Sequence, residues 1–141
     1  WNFRVLTDVD GMHNYYRDDR LIEAGGDPLG VLDFYQVHYY PVHFNEATSP
    51  FHRPASYWQL DKPILIGEFP ADGIVRRPGQ VFRPRTELTP TEAYVYALEN
   101  GYAGALSWTW TNHDGNGGVA DAAQGMTKVA ELAPERVKLN P

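Results

Sequence analysis

Short apolar runs that alternate with helix-like segments constrain the fold of this chain more than any other feature. Three of the runs are rich in β-branched and aromatic residues, and they read FYQVHYYP, KPILIGEFP and AGALSWTW. Strands that alternate with helices predict β/α units and a parallel sheet. Three strands make an open sheet, because a closed (β/α)8 barrel needs eight strands and typically about 250 residues, whereas this chain has 141.

The helix-like segments carry start and stop signals. The segment RDDRLIEAGG ends on two glycines, which favour a helix stop. Thr89, Pro90 and Glu92 match the N-cap, the first helical position and the reciprocal capping position of a later helix. Residues 71–88, with four arginines, form a long connection that is typical of functional or mobile loops. The last helix is predicted to bury the apolar residues that recur at helical spacing: Val119, Ala122, Ala123, Met126 and Ala130.

Composition excludes several classes of function. The formal net charge is −6, which argues against a nucleic-acid partner because phosphate binding needs a basic surface. No run approaches the roughly 20 apolar residues of a membrane span, and no signal peptide is visible. There is no cysteine, and no pair of histidines shows helical metal-ligand spacing. We therefore predict no nucleic-acid partner, no membrane span and no metal.

The ends of the three predicted strands concentrate the candidate functional residues. The first ends with His38 and Tyr40, the second with Glu68, and the third with Trp108 and Trp110. Strand period places His38 beside Tyr40 on one face, and it pairs the two tryptophans in the same way. The carboxyl ends of parallel strands are where α/β proteins build their sites. The structural alternatives are a solvated turn acid, hydrogen-bonded core polar groups and core tryptophans.

The runs FYQVHYYP, DKPILIGEFP and GYAGALSWTWT resemble, in this order, the sixth, seventh and eighth strands of the (β/α)8 glycoside hydrolases of family five and its clan. That group includes cellulases, β-mannanases and related β-glycosidases. The resemblance covers nearly the whole chain. It implies a single partial (β/α)8 barrel over residues 1–141, with three parallel strands and their flanking helices.

The resemblance also implies roles for the residues at the strand ends. Glu68 would be the carboxylate nucleophile, and Tyr40 would hydrogen-bond it. His38 would lie beside the reacting sugar, and Trp108 would be the stacking platform beneath it. Trp110 would either contact substrate or face the helices and core. The implied reaction is retaining hydrolysis of a β-linked oligo- or polysaccharide, which uses two carboxyl groups and no metal or organic cofactor.

The departure from the family pattern concerns the second carboxyl group. The family places its acid/base glutamate in an Asn-Glu pair at the end of the fourth strand, and no such strand is visible here. An Asn45–Glu46 pair occurs in the loop after the first run, which makes Glu46 a candidate surrogate acid. Three strands leave two sheet edges open, so we expect self-association or a missing N-terminal segment. Two alternatives remain: a non-catalytic carbohydrate-binding or self-assembling fragment, and an unrelated α/β protein.

Overall fold

Three parallel strands form one sheet in the order β1–β2–β3. The computed structural model describes residues 2–41, 46–76 and 86–137. The strands are β1 Tyr35–His38, β2 Ile64–Glu68 and β3 Gly104–Ala105, and the helices are α1 Asp18–Gly25, α2 Pro90–Glu99, α3 Val119–Leu132 and α4 Pro134–Val137. Short 3₁₀ helices span Phe3–Val5, Val9–Gly11, Glu46–Thr48 and Ala55–Trp58. Asn45 and half of the predicted arginine-rich loop (residues 77–85 of 71–88) lie outside the described residues.

The sheet order confirms the predicted layout of parallel strands with flanking helices. One face of the sheet is buried against the helices and connecting segments. The largest fully buried side chains of the described residues include Phe3, Tyr35, Val37, Phe51, Trp58, Ile66, Phe69 and Ile74. Aromatic rings join the layers, because Phe69 packs edge-on against both Phe51 and Tyr94 at 5.2 and 5.3 Å between centroids. The opposite face of the sheet is only partly covered among the described residues.

A bulge near the end of β2 controls where its carboxylate points. Val37 pairs with Ile66, but the next residue, His38, pairs with Glu68, so Gly67 is an extra residue in β2. Side chains alternate across a strand, and an inserted residue reverses that alternation beyond it. Without the bulge Glu68 would follow Ile66 into the buried layer. With it, Glu68 turns to the same side of the sheet as His38.

The third strand is much shorter than AGALSWTW predicts. Only Gly104 and Ala105 form a regular ladder with β2. Pairing then continues as separate hydrogen bonds, in which Trp108 N–H donates to the Phe69 carbonyl at 2.7 Å and Ala71 N–H donates to the Trp108 carbonyl at 2.8 Å. The regular ladder ends just before the bulge in β2, which interrupts the spacing that a longer β3 would need.

The start of α2 follows its sequence signals. Thr89 is the N-cap, Pro90 is the first helical residue, and Glu92 completes a capping box. The Glu92 carboxylate accepts a hydrogen bond from the Thr89 backbone N–H at 2.8 Å, and this contact lowers the pKa of Glu92. The prediction for this helix start is confirmed.

The predicted buried face of α3 is only partly right. Val119, Ala123, Met126 and Ala130 are exposed, whereas Ala122 is half-buried and packs against the core, and Gly125 is the fully buried residue of the helix. A β-carbon at Gly125 would lie 2.2 Å from the Tyr94 ring. The absence of a side chain therefore allows α3 to approach Tyr94 of α2 directly, and Ala122 and Val129 of α3 pack against the core.

Candidate active site

The Glu68 carboxylate is held from both sides at the end of β2. The Tyr40 hydroxyl donates to Glu68 Oε1 at 2.5 Å, and His38 Nδ1 lies 3.4 Å from Glu68 Oε2. The side chain of Glu68 retains 26% of its solvent exposure, so it is neither buried nor freely solvated. Each carboxylate oxygen therefore faces one partner, and the group is oriented while its open side stays accessible.

Gln36 sets the proton arrangement of His38. Its amide nitrogen lies 2.9 Å from His38 Nε2. With the amide nitrogen as donor, Nε2 is the acceptor, and the neutral imidazole then carries its proton on Nδ1, facing Glu68. Burial lowers the pKa of His38, while the negative charge of Glu68 acts in the opposite direction. Because burial dominates, the imidazole stays neutral to lower pH than an exposed histidine does.

Gly67 makes room for this arrangement. A β-carbon at this position would lie 2.3 Å from the side-chain atoms of Gln36. Glycine thus has two effects: it forms the bulge that directs Glu68 toward His38, and it leaves space for Gln36 to reach the histidine.

Trp108 lies at the same end of the sheet, where its backbone forms hydrogen bonds with the backbone of Phe69 and Ala71. Its side chain is 47% exposed, and its indole N–H donates to Asp114 Oδ2 at 2.5 Å. The peptide bond between Trp108 and Thr109 is cis. A half-exposed indole next to a carboxylate at strand ends is a surface on which a flat apolar face can stack.

Trp110 occupies a different setting from Trp108. It is 76% exposed, and its carbonyl accepts a hydrogen bond from Val119 N–H at the start of α3. The strand-period argument that pairs the two tryptophans does not apply, because β3 ends before both of them. The role of Trp110 in substrate contact stays a prediction.

Glu46 lies in the 3₁₀ helix Glu46–Thr48, next to His52. Its Oε1 is 3.8 Å from His52 Nε2, and the His52 ring packs against Tyr39 at 6.4 Å between centroids. Tyr39 is buried, whereas the flanking His38 and Tyr40 face Glu68. The position of Glu46 thus favours contact with the Tyr39 side, and its role as surrogate acid stays a prediction.

Three contributors to the site were not singled out from the sequence. Gln36 was detectable, because it stands two residues before His38 and shares its face of the strand. Gly67 signals a bulge only once the pairing is known. Asp114 lies in a turn-rich loop, and nothing in its spacing connects it with Trp108. Within the described ranges, no group of three or more His, Asp or Glu side chains could hold a metal ion.

Known proteins with similar sequences share one activity name. No protein-family profile matches the chain. The chain is 37% identical over 116 residues to a mannan endo-1,4-beta-mannosidase of Mytilus edulis, which covers 81% of this chain and 28% of that protein. It is 35% identical over 117 residues to a protein of the same name from Cryptopygus antarcticus. That match covers 79% of this chain and 27% of the relative. The chain thus spans less than a third of the length of these relatives.

Solved structures agree with the sequence matches. The endo-1,4-beta-mannanase of Eisenia fetida superposes with a TM-score of 0.76 at 37% identity, over 99% of this chain and 35% of that one. The β-mannanase of Mytilus edulis superposes with a TM-score of 0.70 at 33% identity, over 92% of this chain and 33% of that one. No helix in the described residues is long and apolar enough to cross a membrane. The sequence and the fold together identify the chain as a glycoside hydrolase-like protein that corresponds to the C-terminal part of a family-five (β/α)8 barrel.

Proposed function

We propose that this chain supplies the nucleophile half of a retaining β-1,4-mannan hydrolase. The observation that carries the proposal is the orientation of Glu68, whose two oxygens face the Tyr40 hydroxyl and His38 Nδ1. A nucleophile must be held within a fraction of an ångström of its productive geometry, and neighbouring side chains that bind it achieve this. The mannanase relatives support β-mannan as the substrate class.

The proposed reaction follows from this arrangement. One oxygen of Glu68 attacks the anomeric carbon as the glycosidic bond breaks, and a covalent glycosyl–enzyme ester forms. The departing sugar oxygen takes a proton from a second carboxylic acid. Water then attacks the anomeric carbon, gives its proton to that same carboxylate, and releases Glu68. Trp108 is proposed to stack under the sugar that reacts.

The second carboxyl group is proposed to come from another segment of a complete barrel. A retaining site needs its two carboxyl groups about 5–5.5 Å apart. Glu46 is the candidate within this chain, but it contacts His52 on the Tyr39 side. An acid outside the three strands fits the proposed role better, because strands on the opposite side of a closed barrel direct side chains toward Glu68.

The test uses a chimera and the isolated chain side by side. In the chimera this chain replaces the matching 35% of the Eisenia fetida mannanase. We expect the chimera to release reducing sugar from β-1,4-mannan, and the isolated chain to bind mannotetraose without hydrolysing it. Hydrolysis by the isolated chain that Glu46→Gln abolishes would place the acid in this chain. An inactive, folded chimera together with a chain that binds no sugar would contradict the proposal and favour an unrelated α/β protein.

The isolated chain is also proposed to self-associate. Leu106 and Phe34 are 57% and 49% exposed, and Val119 and Met126 of α3 are exposed as well. Parallel strands with open edges and exposed apolar surface favour pairing with another chain. We expect sedimentation velocity to show dimers or larger species that dissociate on dilution, and the chimera to sediment as a monomer. A monomeric isolated chain at every concentration would contradict this expectation.

A further inference from the structure

We propose that Asp114 is a positioning residue that fixes the Trp108 indole as a sugar platform. The inference rests on the proposed function for the identity of the sugar. Its starting point is the exposure of Trp108: almost half of the side chain faces solvent, so packing alone leaves the ring free to adopt other rotamers. A stacking surface that moves loses affinity, because the ligand must then order it on binding.

The contact that restrains the ring is a hydrogen bond to a charged acceptor. The Trp108 indole N–H donates to Asp114 Oδ2 at 2.5 Å. Hydrogen bonds to ionised acceptors are shorter and roughly twice as strong as neutral ones. The pKa of Asp114 lies below its usual value: desolvation raises it, but hydrogen bonds from Asn116 and Trp108 outweigh that effect. The carboxylate therefore stays charged over the neutral range, which preserves the strong form of the bond.

Asp114 is itself held in place. Its other oxygen, Oδ1, accepts the Asn116 backbone N–H at 3.1 Å. The Asn116 carbonyl in turn accepts the Asp72 backbone N–H at 3.0 Å. Asn112 Oδ1 accepts Gly117 N–H at 3.0 Å and closes the loop. The two oxygens of Asp114 thus have different partners: Oδ1 accepts from the Asn116 backbone within the loop, and Oδ2 accepts from the Trp108 indole.

The same contacts connect the platform with the nucleophile strand. Asp72 follows β2 by four residues, and its neighbour Ala71 donates to the Trp108 carbonyl at 2.8 Å. Trp108 is therefore attached at three points to the segment that directly follows Glu68. Its N–H donates to the Phe69 carbonyl, its carbonyl accepts from Ala71 N–H, and its indole connects through Asp114 and Asn116 to Asp72. These attachments link the position of the ring to that of the carboxylate.

The first measurement reads the contact in the chain itself. Side-chain indole signals in a ¹⁵N–¹H spectrum report each tryptophan separately, and Trp108→Phe assigns the signal of Trp108. We expect Asp114→Ala to move the Trp108 signal upfield, toward that of the exposed Trp110, and Asp114→Asn, which keeps an acceptor oxygen, to move it less. Asp27→Ala is the matched control, because Asp27 makes a similar turn contact with Leu29 N–H. An unchanged Trp108 signal in Asp114→Ala would overturn the inference.

The second measurement asks whether the contact serves sugar binding. We expect Asp114→Ala to weaken mannotetraose binding about tenfold, the order expected for one lost charge-assisted bond. In a Trp108→Phe background, which has no indole N–H, Asp114→Ala is expected to have no further effect. An equal loss in both backgrounds would overturn the positioning role. If the unmodified chain binds no mannotetraose and the folded chimera is inactive, the proposed function fails, while the indole signals still decide whether Asp114 holds Trp108.

Discussion

Glu68→Gln is expected to lower mannan hydrolysis by the chimera about 10⁴- to 10⁶-fold, the range seen when a catalytic nucleophile or its orienting partner is lost. The amide keeps the size of the carboxylate and an oxygen that can accept from Tyr40, so the geometry is retained. It carries no negative charge to attack the anomeric carbon. The rate of reducing-sugar release, measured with circular dichroism to confirm folding, gives the effect.

Two control variants make this result specific to Glu68. Glu99→Gln changes an exposed carboxylate at the end of α2 and is expected to leave the rate unchanged. Glu46→Gln is expected to do the same in the chimera, since the acid is supplied by the rest of that barrel. Retention of more than a hundredth of the rate by Glu68→Gln would contradict the nucleophile assignment.

Trp58→Ala is expected to lower the free energy of unfolding by about 3–5 kcal/mol, as large-to-small changes in cores do. Trp58 is fully buried, and its ring stacks on Phe3 at 3.5 Å between centroids. Its indole N–H also donates to the Tyr102 hydroxyl at 2.9 Å. Natural domains have about 5–15 kcal/mol of stability in total, so the loss is expected to be visible as a large fall in the urea midpoint.

Matched variants separate the contributions at this site. Trp110→Ala removes the same side chain from an exposed position and is expected to change stability by less than about 0.5 kcal/mol. Tyr102→Phe keeps the packing but leaves the Trp58 indole N–H without that acceptor, which is expected to cost about 1–3 kcal/mol. A Trp58→Ala midpoint equal to that of Trp110→Ala would show that Trp58 is not part of the core.

Local signals in the sequence were sufficient for much of this fold. The capping residues Thr89 and Glu92 lie directly beside the helix that they begin, so local chemistry determines them. The order of three strands with helices between them also follows from composition and periodicity. Strand alternation predicts that His38 and Tyr40 lie together, and both contact Glu68 in the structure, although β1 ends at His38.

The features that could not be predicted depend on contacts between distant segments. The orientation of Glu68 requires the bulge at Gly67, which is defined only by pairing with β1. The buried face of α3 depends on the approach of Gly125 to Tyr94, and a glycine does not count as apolar in a periodicity argument. The partner of Trp108 is six residues away in a loop whose shape strand or helix period does not describe.

Covalent trapping is the most direct test that Glu68 is the nucleophile. A 2-deoxy-2-fluoro-β-mannoside with a dinitrophenyl leaving group needs no general acid to depart, so the isolated chain can react through Glu68 even without a second carboxyl group. Digestion and mass spectrometry then locate the attached sugar. We predict an adduct on the peptide that contains Glu68, and none in Glu68→Gln. An adduct on a different carboxylate, or labelling that persists in Glu68→Gln, would contradict the account.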